Sequence, residues 1–289
     1  MVVPSQAAAP TAQRPPRRVV SSPWCWGIVG MVVCIALIVA YGFIPGPVWI
    51  GALVVIALAV VIYLAIMRGW ARRVPIELTG PGAARELVSG MALGAVVLFA
   101  GWLLVAALGG YSIEWAGASV VPVVWAALVS AAVPAVVEEM AFRGFALQAT
   151  ERIAGTWAAI IVSAVLFGAL HINNPGASIW TSTAIAIEAG LLLGAAYAWR
   201  RDLRFVIGVH FAWNTVEGLV GVNVSGTTED GLWQTTAHGS DLMTGGSFGL
   251  EASLPLLLLT LIPTTLMLIA AHRRGNLRGP LRPGADFAA

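Results

Sequence analysis

The sequence predicts an all-α integral membrane protein, a bundle of about eight transmembrane helices with both termini cytoplasmic, and three observations carry that prediction. Hydrophobic residues make up 58% of the chain and charged residues only 10%, with a mean hydropathy of +0.85, far from the composition of a water-soluble domain. Apolar runs of spanning length recur at 24–44, 48–67, 87–108, 118–137, 157–170, 179–199, 205–222 and 252–271. The 16 basic residues, all arginines, fall only into alternate connections between those runs. A β-barrel does not fit, because the runs are continuously apolar where barrel strands would alternate.

Taken in order, residues 1–23 are rich in Pro, Ala and Arg without apolar periodicity and read as a disordered cytoplasmic tail. The first run is too long for a signal-peptide core and is expected to be retained. Arg14, Arg17 and Arg18 precede it; Arg68, Arg72, Arg73 and Arg85 lie between the second and third runs. Arg143 and Arg152 follow the fourth, Arg200, Arg201 and Arg204 the sixth, and Arg273, Arg274, Arg278 and Arg282 the eighth. The opposite connections carry acids alone, Glu114, Glu229, Asp230, Asp241 and Glu251, and one span more or fewer would scramble the sorting. The bundle therefore occupies 24–272, with a polar outer loop at 223–251 whose shape composition leaves open and whose default reading is mobility, and a second cytoplasmic tail at 273–289. The run at 157–170 is the shortest and needs helical continuation to His171 with some tilt. No internal repeat is visible, which weighs against inverted-repeat transporters. Cys25 and Cys34 face opposite sides of the first helix at about 100° per residue, so packing is their expected role.

Polar groups within or at the ends of such runs are costly and mark candidate function. Here they are Glu138, Glu139 and Arg143 in "EEMAFRG", His171 in "FGALH", Glu188, and His210, Asn214 and Glu217 in and after "HFAWN". Glu139 and Arg143 are four apart, so an ion pair can form on one helix face and lower the cost of burying either charge. Glu138 points about 100° away and stays free for chemistry. His210 and Asn214 share a face one turn apart, and Phe167, one turn before His171, reads as packing that supports its rotamer. Taken singly, each of these groups is as well explained as interhelical glue. Together, a glutamate, two histidines and an asparagine on three runs are the parts for activating a water and stabilising an oxyanion in a low-dielectric bundle. Glu188 and Glu217 lack partners at helical spacing and read as buried hydrogen bonds or cavity lining; His238 and His272 lie in the outer loop and at a helix end.

These three motifs, in this order, resemble the CAAX prenyl endopeptidase and bacteriocin-processing (Abi) family of intramembrane proteases, whose patterns Glu-Glu-x-x-x-Arg, Phe-x-x-x-His and His-x-x-x-Asn are matched at Glu138–Arg143, Phe167–His171 and His210–Asn214. The match covers about residues 121–222, and the family's eight-helix bundle agrees with the run count. The resemblance implies an endopeptidase in which Glu138 and His171 activate water, His210 and Asn214 hold the oxyanion, and Glu139, Arg143 and Phe167 support them. No cofactor is expected; a single zinc on Glu138, His171 and His210 is the alternative, set against the lack of a His-Glu-x-x-His signature and the rarity of Asn as a zinc ligand.

The implied partner is a membrane-associated peptide or protein within the lipid bilayer, with or without a lipid anchor of its own, with no nucleic acid, and a bacterial plasma membrane is the expected location. Two readings stay open beside the protease. A silent scaffold would bind membrane peptides without cleaving them, and a transporter would show substrate-dependent flux. Depth argues against a simple arrangement: counted along straight upright helices, Glu138, His171 and His210 lie roughly 18, 24 and 9 Å from the cytoplasmic ends of their runs. Tilted or offset helices around a cytoplasm-facing, water-filled cavity would be needed to unite them.

Overall fold

The structure, a computed structural model, describes residues 22–228 and 230–280. The expected tail at 1–23 therefore lies outside the described residues apart from its last two positions, as do Glu229 and residues 281–289. Every one of the eight apolar runs is helical. The elements are α1 (Pro23–Tyr41), α2 (Val48–Ala65, prolonged by a wide turn at Ile66–Trp70), the short α3 (Ile76–Thr79) and α4 (Ala83–Ala107). Helix α5 (Val120–Val133) runs through wide turns at Pro134–Glu138 and Met140–Ala146 into α6 (Leu147–Leu170). After a 3-10 turn at His171–Asn173 come α7 (Ile179–Ile185), a wide turn at Ala186–Leu191 and α8 (Leu192–Arg200), then α9 (Leu203–Val220), the short α10 (Asp241–Thr244) and α11 (Leu254–Arg273).

Local chemistry sets several of these boundaries. Asp202 caps α9 by accepting from the amides of Arg204 and Phe205 at 2.9 and 3.4 Å, and Gly221 ends it in the left-handed conformation. Ser178 and Thr181 form a reciprocal capping box at the start of α7, and Ser253 with Pro255 opens α11. Pro134 has no amide hydrogen to give the helical ladder, and from that residue the α5–α6 rod is wound with i to i+5 hydrogen bonds.

Six segments among the described residues are long and apolar enough to cross a membrane: Pro23–Tyr41, Val48–Trp70, Ala83–Ala107, Val120–Asn173, Ile179–Arg200 and Leu254–Arg273. Two physical facts separate this from the eight runs. Val120–Asn173 is broken at Gly155, whose φ of 83° and ψ of 172° leave the helical region, so the runs at 118–137 and 157–170 lie on separate arms. Helix α9 falls short in apolarity because Arg204, His210, Asn214 and Glu217 share its 18 residues. The chain is a multi-pass membrane protein built almost entirely of helices.

Helix α9 carries two of the motif residues and is the helix most intimately packed on α4. A Cβ on Gly94 would meet the Val209 carbonyl oxygen at 2.2 Å, and one on Gly208 would meet that of Leu87 at the same distance. Small residues let the two backbones touch, the packing that membrane helices use where lipid supplies no hydrophobic drive. The segment 223–251 is folded rather than featureless: β2 (Trp233–Ala237) pairs antiparallel with β1 (Tyr111–Trp115), in register from Tyr111 opposite Ala237 to Trp115 opposite Trp233. Phe248 and Leu250 of the same segment are buried. Its default reading as a mobile loop is corrected on this point, because pairing with a partner so distant in sequence leaves no local signature. Cys34 is buried and Cys25 is partly buried, and no disulfide joins the two.

Candidate active site

The site is built around a buried carboxylate. Glu139 and Arg143 are both wholly buried, and Arg143 Nη1 donates to Glu139 Oε1 at 2.9 Å. The same oxygen accepts from His210 Nδ1 at 2.9 Å, so Glu139 ties the α5–α6 rod to α9 as well as neutralising the arginine. Arg143 Nη2 reaches the Gly190 and Ala189 carbonyl oxygens at 3.1 and 3.5 Å. Those two oxygens belong to the wide turn Ala186–Leu191, where the ordinary helical ladder is interrupted and carbonyls become available to a side chain. The guanidinium also lies 4.7 Å from the centre of the Phe167 ring, a cation–π contact between two buried side chains.

Phe167 is the hub of the second motif. Its ring centre is 4.6 Å from that of His171, 6.0 Å from that of His210 and 5.0 Å from that of Phe142. His171 Nδ1 donates to the Phe167 carbonyl oxygen at 2.7 Å. A carbonyl can only accept, so the proton sits on Nδ1 and the neutral ring keeps its Nε2 lone pair for other work. The packing role read from spacing for Phe167 is extended by this geometry: one ring contacts both histidines and the arginine.

Glu138 is half-buried, with Oε2 enclosed and without a hydrogen-bond partner among the described residues, and lies within electrostatic range of both His210 and Arg143. Asn214 is buried one turn along α9 from His210, and among the described residues its carboxamide has no hydrogen-bond partner. Phe167, His171 and His210 line a narrow cavity of about 10 Å³ together with Trp213, Ser225 and Glu251. That is room for about one water molecule. Glu138 and Asn214 flank the motif residues without lining this cavity. The unequal depths counted along straight helices do not keep the motifs apart, since His210 touches both Glu139 and Phe167. Wide turns in the α5–α6 rod and its break at Gly155 change the rise and direction that the count assumes.

Two departures from the sequence reading stand out. Glu188 and Glu217 are wholly buried, but among the described residues neither makes a hydrogen bond, one of the two roles expected of it beside cavity lining. Their charged neighbours are other acids, Glu251 for both and Glu188 for Glu217. Glu251, grouped by sequence with the acids of the outer loop, is 3% exposed and reaches into the site. It accepts from Trp213 Nε1 at 3.2 Å and from the Ser225 amide at 2.9 Å. No motif spacing points to it, because the loop that returns it to the bundle is fixed by tertiary contacts alone. As for zinc, among the described residues no three His, Cys, Asp or Glu side chains converge as a ligand set, and the suggested Glu138, His171 and His210 do not form one.

Comparison with curated proteins and with solved structures returns no match. Comparison with protein families does: residues 120–216, about a third of the chain and the segment that holds Glu138, Glu139, Arg143, Phe167, His171, His210 and Asn214, match the family of Rce1-like type II CAAX prenyl endopeptidases.

Proposed function

We propose that the protein is an intramembrane endopeptidase that hydrolyses a peptide bond of a membrane-associated protein or peptide, using water activated by Glu138 and His171. The observation that carries this reading is the convergence of the three motifs: Glu139 joins Arg143 to His210, and Phe167 joins His171 to His210, with Phe167, His171 and His210 lining a cavity of one-water size. The family match supports a protease of CAAX type, and such proteases act on membrane-associated peptides in a bilayer.

In the proposed reaction Glu138 takes a proton from water as its oxygen bonds to the scissile carbonyl carbon, and His171 Nε2 accepts a hydrogen bond from the same water and orients it. The developing oxyanion is met by Asn214 and by His210 Nε2. Since His210 Nδ1 already donates to Glu139, Nε2 can donate only if the ring carries both protons, and Glu139 is then its counter-charge. Collapse of the tetrahedral intermediate breaks the C–N bond, and the proton held by Glu138 passes to the leaving amine. No step is routed through a metal. We further propose eight spans with both termini cytoplasmic, a bacterial plasma membrane location, and a substrate of CAAX or peptide-maturation type.

The test is cleavage itself. Purified full-length protein incubated with a membrane-peptide library should generate new termini detectable by mass spectrometry, and Glu138→Gln and His171→Ala should generate none while retaining peptide binding. Cleavage unchanged in Glu138→Gln would refute the role of that residue; binding without cleavage in the wild type would favour a silent scaffold. One zinc per chain that disappears in His171→Ala and His210→Ala would replace the metal-free mechanism.

A further inference from the structure

At the arginine-rich end of the bundle, away from the motif residues, a cavity of about 540 Å³ opens between the start of α4, the end of α8 and the end of α11. Its polar wall consists of Arg85, Ser89, Arg200 and Arg274, and its apolar floor of Leu93, Trp199 and Phe205. The charges do not balance. Glu86 is the carboxylate bonded to this group: it takes Arg200 Nε at 2.9 Å and Arg85 Nη2 at 3.1 Å. Among the described residues, three guanidiniums against one carboxylate leave a net charge of two. The neighbouring Arg204 adds nothing to that excess, being paired with Asp202.

The uncommitted donors are well placed. Among the described residues the Arg274 guanidinium has no hydrogen bond or ion pair; it lies 5.4 Å from the centre of the Trp199 ring, which holds it at the cavity. Arg200 lies 5.1 and 5.4 Å from the centres of the Trp199 and Phe205 rings, and those rings pack edge to face. Arg85 is 80% exposed and spends one contact on Glu86. Planar forks fixed over aromatic faces, with spare N–H groups turned to a shared space, are the geometry that binds phosphate oxygens in pairs. The apolar floor continues onto the exposed α4 surface at Val88 and Val96, where a hydrocarbon chain would lie.

We propose that this cavity binds a phosphate group of the kind carried by an anionic phospholipid headgroup, with Arg85 and Arg274 supplying the free donors and Leu93, Trp199 and Phe205 receiving the glycerol and upper acyl segments. The site is separate from the proposed peptidase chemistry, and its test reads binding alone. Full-length protein in nanodiscs of phosphatidylcholine would be titrated with phosphatidylglycerol, and retained lipid counted by native mass spectrometry. Arg85→Ala with Arg274→Ala should weaken retention about 30-fold, taking about 1 kcal/mol for each arginine near an anionic headgroup. Arg273→Ala, an exposed arginine beside the cavity wall, should leave it unchanged. Competition by inorganic phosphate at millimolar concentration would support the phosphate site with a soluble ligand as its source, and lack of competition would assign it to lipid. Equal retention of phosphatidylcholine and phosphatidylglycerol by the wild type, or unchanged retention by the double variant, would overturn the proposal.

Discussion

Replacing Glu139 by Gln keeps the shape of the side chain and removes its charge, which isolates what that charge does for Arg143 and His210. The wild-type pair is wholly buried, with the two groups 2.9 Å apart. Removing one partner of a buried pair costs about 3–5 kcal/mol, because the other charge is left uncompensated. The Gly190 and Ala189 carbonyls and the Phe167 ring stay in place around Arg143 and offset part of that, so about 3 kcal/mol is expected for Glu139→Gln. The opposite change, Arg143→Met, leaves Glu139 with His210, which can carry a compensating charge, and about 2 kcal/mol is expected. The double variant buries neither charge and should lose only about 3 kcal/mol, so the two losses overlap by about 2 kcal/mol. At roughly 2–4 °C per kcal/mol, Glu139→Gln should lower the midpoint of thermal unfolding by on the order of 10 °C. Thermal unfolding of all four proteins in a single detergent closes the cycle. Strictly additive losses would show that the two side chains do not depend on each other and would refute the reasoning.

Reporter fusions after Arg73, Arg201 and Arg282 should be cytoplasmic and one after Gly226 external; any single reversal breaks the eight-span arrangement. Asn214→Ala should retain some cleavage, with kcat lowered on the order of 10²- to 10³-fold, the usual cost of one oxyanion donor; complete loss in a folded protein would give the residue a larger role. Gly94→Leu should separate α9 from α4 and abolish folding or activity, since even a Cβ would stand 2.2 Å from the Val209 carbonyl oxygen, whereas Gly69→Ala meets nothing within 4 Å and should behave as wild type in the same assays. Glu251→Gln should lower cleavage and shift the fluorescence of Trp213, whose indole it accepts from; an unchanged spectrum would disconnect the loop from the site.

The sequence by itself determined the helical membrane character, because continuous apolar runs can satisfy their backbone in lipid only by coiling on themselves. It also narrowed the candidates for chemistry to a few side chains, since so few ionisable groups interrupt those runs, and it paired Glu139 with Arg143 because four residues is a local distance. Tertiary structure decided the rest. That Glu139 also holds His210, and that Phe167 serves both histidines, depends on helices far apart in sequence meeting at one level. The wide turns around Pro134 and Ala186 and the break at Gly155 make that meeting possible, and a count at 3.6 residues per turn cannot contain them. Glu251 shows the same limit from the other side. Its neighbours in sequence are those of a polar loop, and only the folding of that loop onto Trp213 and Ser225 turns a surface acid into a wall of the site.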